Sequence, residues 1–131
     1  MDIKEFADKF IEAEHQVMQQ GNFDALEQIE SPDIVFHMAP PLPDLVGFEA
    51  HKQYLVSALE MVSEISQEYD YITGDGNIAV LSCIQKMTTK VEHPVLKIPA
   101  GSKITADAFF VLRRENDKIA EIFTHSNMTI D

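Results

Sequence analysis

Apolar positions in the first half of the chain recur at helical spacing. They predict a first helix over residues 2–20, where Asp2 with Glu5 three residues later resembles a capping box, and a second, short helix over residues 22–29. A third helix is predicted over residues 48–62, and residues 34–38 predict a short strand. A proline-rich bend closes that strand and leads into the third helix.

The second half of the chain alternates between apolar and polar residues, which is typical of strands. Residues 65–72 and 78–89 flank a strong turn signal, Gly-Asp-Gly-Asn, and predict one β-hairpin. Residues 103–114 and 119–130 flank four polar residues, Glu-Asn-Asp-Lys, and predict a second, longer hairpin. Residues 92–102 contain two prolines and a glycine and predict a loop between the hairpins.

Helices that cluster early and strands joined by tight turns indicate an α+β fold with an antiparallel sheet. A strongly curved sheet with three helices on its concave face would bury the helix stripes and one sheet face, and leave a pocket between them. At 131 residues, we expect one domain spanning residues 1–131.

The charge balance limits the classes of partner. A net charge of −12 without a cluster of Lys or Arg argues against nucleic acid and anionic membranes. Cys83 is the only cysteine, which excludes an internal disulfide, and with no leader pattern at the N-terminus we expect a soluble, cytoplasmic protein. No apolar run approaches the roughly 20 residues of a membrane helix. We expect neither a cofactor nor a metal, since no motif for either is present.

Two polar groups stand among apolar residues in the last hairpin. On its first strand, Asp107 shares a face with Phe109, and on its second strand His125 shares a face with Phe123, because strand side chains repeat every two residues. Such groups are exposed, satisfied in a core, or functional.

Several segments resemble the SnoaL-like polyketide cyclase branch of the nuclear transport factor 2 (NTF2)-like superfamily. The segments are Phe-His-Met at 36–38, Pro-Asp-Leu-Val-Gly-Phe-Glu-Ala at 43–50, Ile-Pro-Ala-Gly-Ser-Lys-Ile at 98–104, Asp-Ala-Phe-Phe-Val at 107–111 and Asp-Lys-Ile-Ala-Glu at 117–121. The resemblance implies a cone-shaped fold with a buried hydrophobic pocket, often dimeric through its sheet. Members with cyclase activity carry a general acid/base aspartate on the strand where Asp107 lies, and often a polar residue on the last strand, where His125 is the nearest match.

We therefore expect Asp107 to be a general base inside an apolar pocket, where desolvation would raise its pKa toward neutrality. His125 could pair with Asp107 across the hairpin or orient a substrate oxygen, and a satisfied histidine at the pocket rim is the alternative. The alternative for Asp107 is that it faces solvent on the outer sheet surface. Tyr54 offers a hydroxyl that could polarise a carbonyl, although a core tyrosine is the commoner explanation. The residues expected to bind substrate are His37, Met38, Tyr54, Phe109 and Phe123. Phe123 stands where the family often has tryptophan.

Three hypotheses follow for function. The first is an acid/base enzyme that acts on a hydrophobic carbonyl compound by aldol cyclisation, isomerisation or dehydration. The second is a module that binds a small hydrophobic molecule without changing it, and the third is a dimerisation module. We expect a homodimer that covers the strand face of Ile104, Ala106, Ala108, Phe110 and Leu112. Five methionines are either pocket lining or core filling: Met18, Met38, Met61, Met87 and Met128.

Overall fold

The computed structural model describes residues 1–38 and 40–131. Helix α1 (Ile3–Gln20) begins where the Asp2 carboxylate accepts a hydrogen bond from the Glu5 backbone N–H at 2.8 Å. It ends at Gly21, whose φ of 66° is the left-handed conformation that glycine adopts readily. Its buried stripe includes Phe6, Phe10 and Val17, at the predicted helical spacing.

Two shorter helices follow α1. Helix α2 (Asp24–Ile29) buries Leu26 and Ile29. Helix α3 (Phe48–Glu60) buries Phe48, His51 and Leu55. It ends two residues before the predicted boundary because Val62 already begins a strand.

Within the described residues, six strands form one sheet: β1 (Glu30–His37), β2 (Leu45–Val46), β3 (Val62–Asp75), β4 (Ile78–Thr89), β5 (Lys103–Glu115) and β6 (Lys118–Ile130). Their order across the sheet is β2-β1-β6-β5-β4-β3, with β1 parallel to β6 and all other neighbours antiparallel. The β5–β6 turn places Asn116 and Asp117 at positive φ, as the polar turn predicts. The α+β prediction is confirmed: a curved sheet follows the helical N-terminus, and its four long strands form two hairpins.

The strand register assembles the sheet face that points toward the helices, here called the inner face. Gln67 of β3 is opposite Gln85 of β4, which is opposite Ala106 of β5, which is opposite Met128 of β6. Two residues away in each strand, the same four strands contribute a second row to this face: Tyr69, Cys83, Ala108 and Ser126. The alanines lie in the middle of the sheet, so their short side chains leave space between sheet and helices.

The core occupies one end of that space, where α1 packs against β3 and β4. Its largest fully buried side chains include Phe6, Phe10, Leu26, Leu112 and Ile122. In the described part of the chain, no helix has the length and apolar content needed to cross a membrane. The other end of the space is open and forms a cavity.

Candidate functional site

A cavity of about 500 Å³ lies between α1, α3 and the inner face of the sheet. This volume falls within the usual range for small-molecule sites. The loop between β4 and β5 reaches its mouth with His93, Leu96 and Ile98. The walls are mainly apolar, and five methionines line them: Met18, Met38, Met61, Met87 and Met128. Since methionine is flexible and polarisable, such walls adapt to an irregular apolar ligand.

Glu14 is the acidic side chain that opens into this cavity. It lies on the buried stripe of α1 and is only 3% exposed, and its Oε2 atom has no hydrogen-bond partner among the described residues. Burial raises the pKa of the Glu14 carboxyl to about 7, an effect that nearby His51 opposes and nearby Glu30 reinforces. Glu14 therefore exchanges a proton near neutral pH.

A buried, hydrogen-bonded pair, His51 and Glu30, lies near Glu14. His51 of α3 lines the cavity and is 1% exposed, and its Nδ1 lies 2.9 Å from Oε1 of Glu30, the first residue of β1. Burial raises the pKa of Glu30, and the hydrogen bond with His51 opposes that rise. Because one ring nitrogen is held by Glu30, the imidazole is fixed in orientation on the cavity wall.

Two tyrosines line the cavity as well. Burial raises the pKa of Tyr54 on α3. Burial and the nearby Glu14 carboxyl raise the pKa of Tyr69 on β3. Both hydroxyls therefore keep their protons at neutral pH, and that of Tyr54 is available as a hydrogen-bond donor.

The predicted catalytic pair is not in the cavity. Asp107 and His125 are both exposed and lie on the opposite, outer face of the sheet, with Phe109 at 50% and Phe123 at 41% exposure. The expected placement of these four residues in the cavity is wrong, because side chains alternate along a strand and the other face of the hairpin is the one that points inward. The neighbouring residues Ile104, Ala106, Ala108 and Phe110 point inward and line the cavity instead. The inner face is covered by helices and cavity, so the predicted dimer face is not an open one.

The remaining predicted residues are divided between the cavity and the surface. Met38 and Tyr54 line the cavity. His37 does not: its ring stacks on Phe123 with centroids 4.4 Å apart, and its nitrogens contact Asp44 at 3.0 Å and Glu121 at 2.8 Å. The hydrogen bond with Glu121, and then that with Asp44, raises the pKa of His37. His37 thus belongs to a surface network.

The sequence contained a signal for the residues that were missed. Glu14 is four residues after Phe10 and three before Val17, so it falls on the apolar stripe of α1. His51 is three residues after Phe48 and four before Leu55, on the stripe of α3. A polar residue on a buried helical stripe is a site candidate because burying it is costly. Among the described residues, no group of three or more His, Cys, Asp or Glu side chains is arranged to hold a metal ion.

Comparison with known proteins identifies the family and the fold. A family model described as a SnoaL-like domain matches residues 9–122. A search of curated protein sequences gave no significant match.

Solved structures share the fold over nearly the full chain. The epoxide hydrolase/cyclase-like enzyme SalBIII, which has a role in pyran ring formation in the polyether salinomycin, is 16% identical with a TM-score of 0.77, covering 99% of this chain and 98% of its own. A SnoaL-like protein from Mesorhizobium loti is 24% identical with a TM-score of 0.74, covering 95% and 99%. An NTF2-like protein from Burkholderia xenovorans LB400 is 18% identical with a TM-score of 0.75, covering 97% and 92%.

Proposed function

Because the chain belongs to the SnoaL-like domain family, as the resemblance predicted, we propose that it is an acid/base catalyst for a hydrophobic carbonyl compound bound in the cavity. The reaction class is proton abstraction beside the carbonyl, the step shared by aldol cyclisation, isomerisation and dehydration. One observation carries the proposal: the buried, unpartnered carboxyl of Glu14 opens into an apolar cavity with a pKa of about 7. A general base is most effective when its pKa lies near the working pH.

Three polar residues of the cavity have roles in this chemistry. Glu14 takes the proton from the carbon beside the carbonyl, and electron density moves to the carbonyl oxygen. Tyr54, whose pKa is raised by burial, donates a hydrogen bond to that oxygen and stabilises the developing charge. His51, held by Glu30, lies near Glu14 and sets the electrostatic environment of its carboxyl.

Hydrogen–deuterium exchange of a simple ketone tests this role directly. Proton NMR of α-tetralone in D₂O follows the loss of the protons beside the carbonyl. The wild-type protein should accelerate this loss, and Glu14→Gln should reduce the acceleration by about a hundredfold or more, the range of general base catalysis. Tyr54→Phe should reduce it by a smaller factor.

The matched control is Asp107→Asn, because this carboxylate lies on the outer face in solvent. In the presence of this variant, the protons of α-tetralone should exchange at the wild-type rate. The role of Glu14 would be overturned by a folded Glu14→Gln variant that binds α-tetralone and accelerates its proton exchange as much as the wild type does. An Asp107→Asn variant that loses the activity would return the role to Asp107.

A binding module is the second candidate function, and the methionine-lined walls favour it. The melting temperature of such a protein rises when α-tetralone or another hydrophobic ketone is added, because a ligand that binds only the folded state stabilises that state. It would not accelerate proton exchange above the rate in buffer. Measuring both quantities on the same ketone separates catalysis from binding.

A homodimer through the outer face is part of the proposal. The face carries Ile84, Phe109 and Phe123, each more than a third exposed and at diagonal positions of the β4–β5–β6 register, where Asp107 is opposite Ile84 and His125 is opposite Phe109. Exposed apolar side chains grouped on one sheet face are commonly covered by a partner. Sedimentation equilibrium should give a dimer mass for the wild type and a monomer mass for Phe109→Glu. A monomeric wild type at micromolar concentration would exclude this dimer.

A further inference from the structure

Three buried side-chain atoms have no hydrogen-bond partner among the described residues, and all three are oxygens. They are Oε2 of Glu14, Oε2 of Glu30 and Oε1 of Gln67. Glu14 and Gln67 both line the cavity. Buried polar atoms in proteins are nearly always paired, so oxygens left over on a cavity wall indicate a partner supplied by the ligand.

Gln67 presents its carbonyl oxygen because its amide nitrogen is already used. Its Nε2 donates to Oε1 of Gln85 at 3.0 Å, and Nε2 of Gln85 is directed at the sulfur of Met87 at 4.0 Å. The hydrogen bond with Gln85 and the contact with the Tyr69 hydroxyl orient the amide of Gln67. Oε1 of Gln67 can only accept a hydrogen bond, whatever the pH.

Glu14 also needs a donor from the ligand. As a carboxylate it only accepts hydrogen bonds, and as a neutral acid it donates one and still accepts on its other oxygen. A simple ketone offers an acceptor alone and leaves Gln67 unsatisfied. A hydroxyl group supplies the donor that Oε1 of Gln67 lacks, and its oxygen can accept from Glu14 when that carboxyl is neutral.

We infer that the cavity selects carbonyl compounds that also carry a hydroxyl group, and that Gln67 is the residue that recognises the hydroxyl. This deepens the proposed function and rests on it for the carbonyl group. A ligand that displaces water from the oxygen of Gln67 must replace the hydrogen bond that water made there. Compounds without a donor bind more weakly for that reason.

A matched set of ligands isolates the donor. We choose α-tetralone, its derivatives with a hydroxyl on the carbon beside the carbonyl or on the benzylic carbon across the ring, and the methyl ether of each alcohol. Each ether keeps the oxygen and replaces the donor hydrogen by a methyl group. Calorimetric titration of the wild-type protein should show at least one alcohol binding about tenfold or more tightly than its own ether.

Variants assign the preference to Gln67. Gln67→Met keeps the length of the side chain and removes the acceptor, so the ratio of ether to alcohol Kd should fall to near one. Should Gln67→Met fail to fold, Gln67→Met with Gln85→Met replaces both members of the hydrogen-bonded pair and avoids stranding Gln85. Ser57→Ala, elsewhere on the cavity wall, is the control and should keep the wild-type ratio.

The outcomes separate this inference from the proposed function. Equal Kd values for every alcohol and its ether overturn hydroxyl selection, even where proton exchange shows that Glu14 is a base. A preference that persists in the folded Gln67 variants overturns the assignment to Gln67. Selective binding that disappears with Gln67, in a protein that does not accelerate exchange, supports the inference and overturns catalysis.

Discussion

His51 Nδ1 lies 2.9 Å from Glu30 Oε1, and both side chains are almost completely shielded from solvent. The pair joins α3 to the start of β1, so it fixes one wall of the cavity to the sheet. Its second carboxylate oxygen, Glu30 Oε2, has no partner among the described residues. The pair is therefore costly to bury and still more costly to break.

His51→Leu should lower the free energy of unfolding by about 3–5 kcal/mol at neutral pH, because it leaves the Glu30 carboxyl buried without a donor. Glu30→Leu combined with His51→Leu removes both groups and should recover much of that loss. Urea denaturation of the three proteins measures the difference. A double variant less stable than His51→Leu would contradict the account.

Glu14 should make the protein less stable as the pH rises. Its pKa in the folded protein, about 7, is above its ordinary value of 4.5. Its contribution to stability is thus fully present below about pH 4.5 and is lost as the pH rises through about 7. Above that range the loss reaches about 3 kcal/mol, the equivalent of the pKa difference.

Denaturation of the wild type and Glu14→Gln at about pH 5 and about pH 8 tests this dependence. The variant should be more stable than the wild type at the higher pH, with the advantage shrinking at the lower pH. A stability difference that does not change between the two conditions would show that Glu14 titrates normally.

Ala106→Leu should fill the cavity without unfolding the protein. Ala106 is 8% exposed and lies in the middle of the inner face between Gln85 and Met128. A larger apolar side chain there buries additional surface, so the melting temperature should stay the same or rise. The increase in melting temperature on adding α-tetralone should disappear, whereas Asp107→Asn on the outer face should keep it.

His37 should titrate above its ordinary pKa of 6.5, because Glu121 and Asp44 hold its protonated ring. Its stabilising effect is fully present below pH 6.5 and is lost as the pH rises through the raised value. NMR titration of the ring protons measures this pKa. Glu121→Gln should lower it more than Asp44→Asn does, since the hydrogen bond with Glu121 is the larger cause. Equal titration in all three proteins would show that neither carboxylate contributes.

Hydrophobic spacing was sufficient to predict the helices, the two hairpins and the fold class, because local periodicity reflects which side of an element is buried. It did not identify which face of β5 points inward. Both faces carry apolar residues: Phe109 and Val111 lie on one, and Ile104 and Phe110 on the other. Only packing of the helices against the sheet decides between them. The carboxylate of Asp107 in the middle of β5 marked the solvent side, as a charged residue in a strand usually does.

The polar cavity residues to which we assign roles come from α1, α3 and β3, and their proximity depends on tertiary structure. Glu14 and His51 lie 37 residues apart in sequence and are brought together by the packing of two helices over one sheet. Each was detectable as an irregularity in its own helix. Their proximity, and the raised pKa that follows from burial, required the folded chain.

The methionines that surround the cavity also determine how the protein responds to oxidants. Peroxide converts a thioether into a sulfoxide, which is polar and chiral. Oxidation of Met18 or Met87 would therefore make an apolar part of the cavity wall polar and hydrated. Occupied protein would be shielded, because the bound molecule covers the sulfur atoms. Redox history would therefore set the fraction of molecules that remain competent to bind.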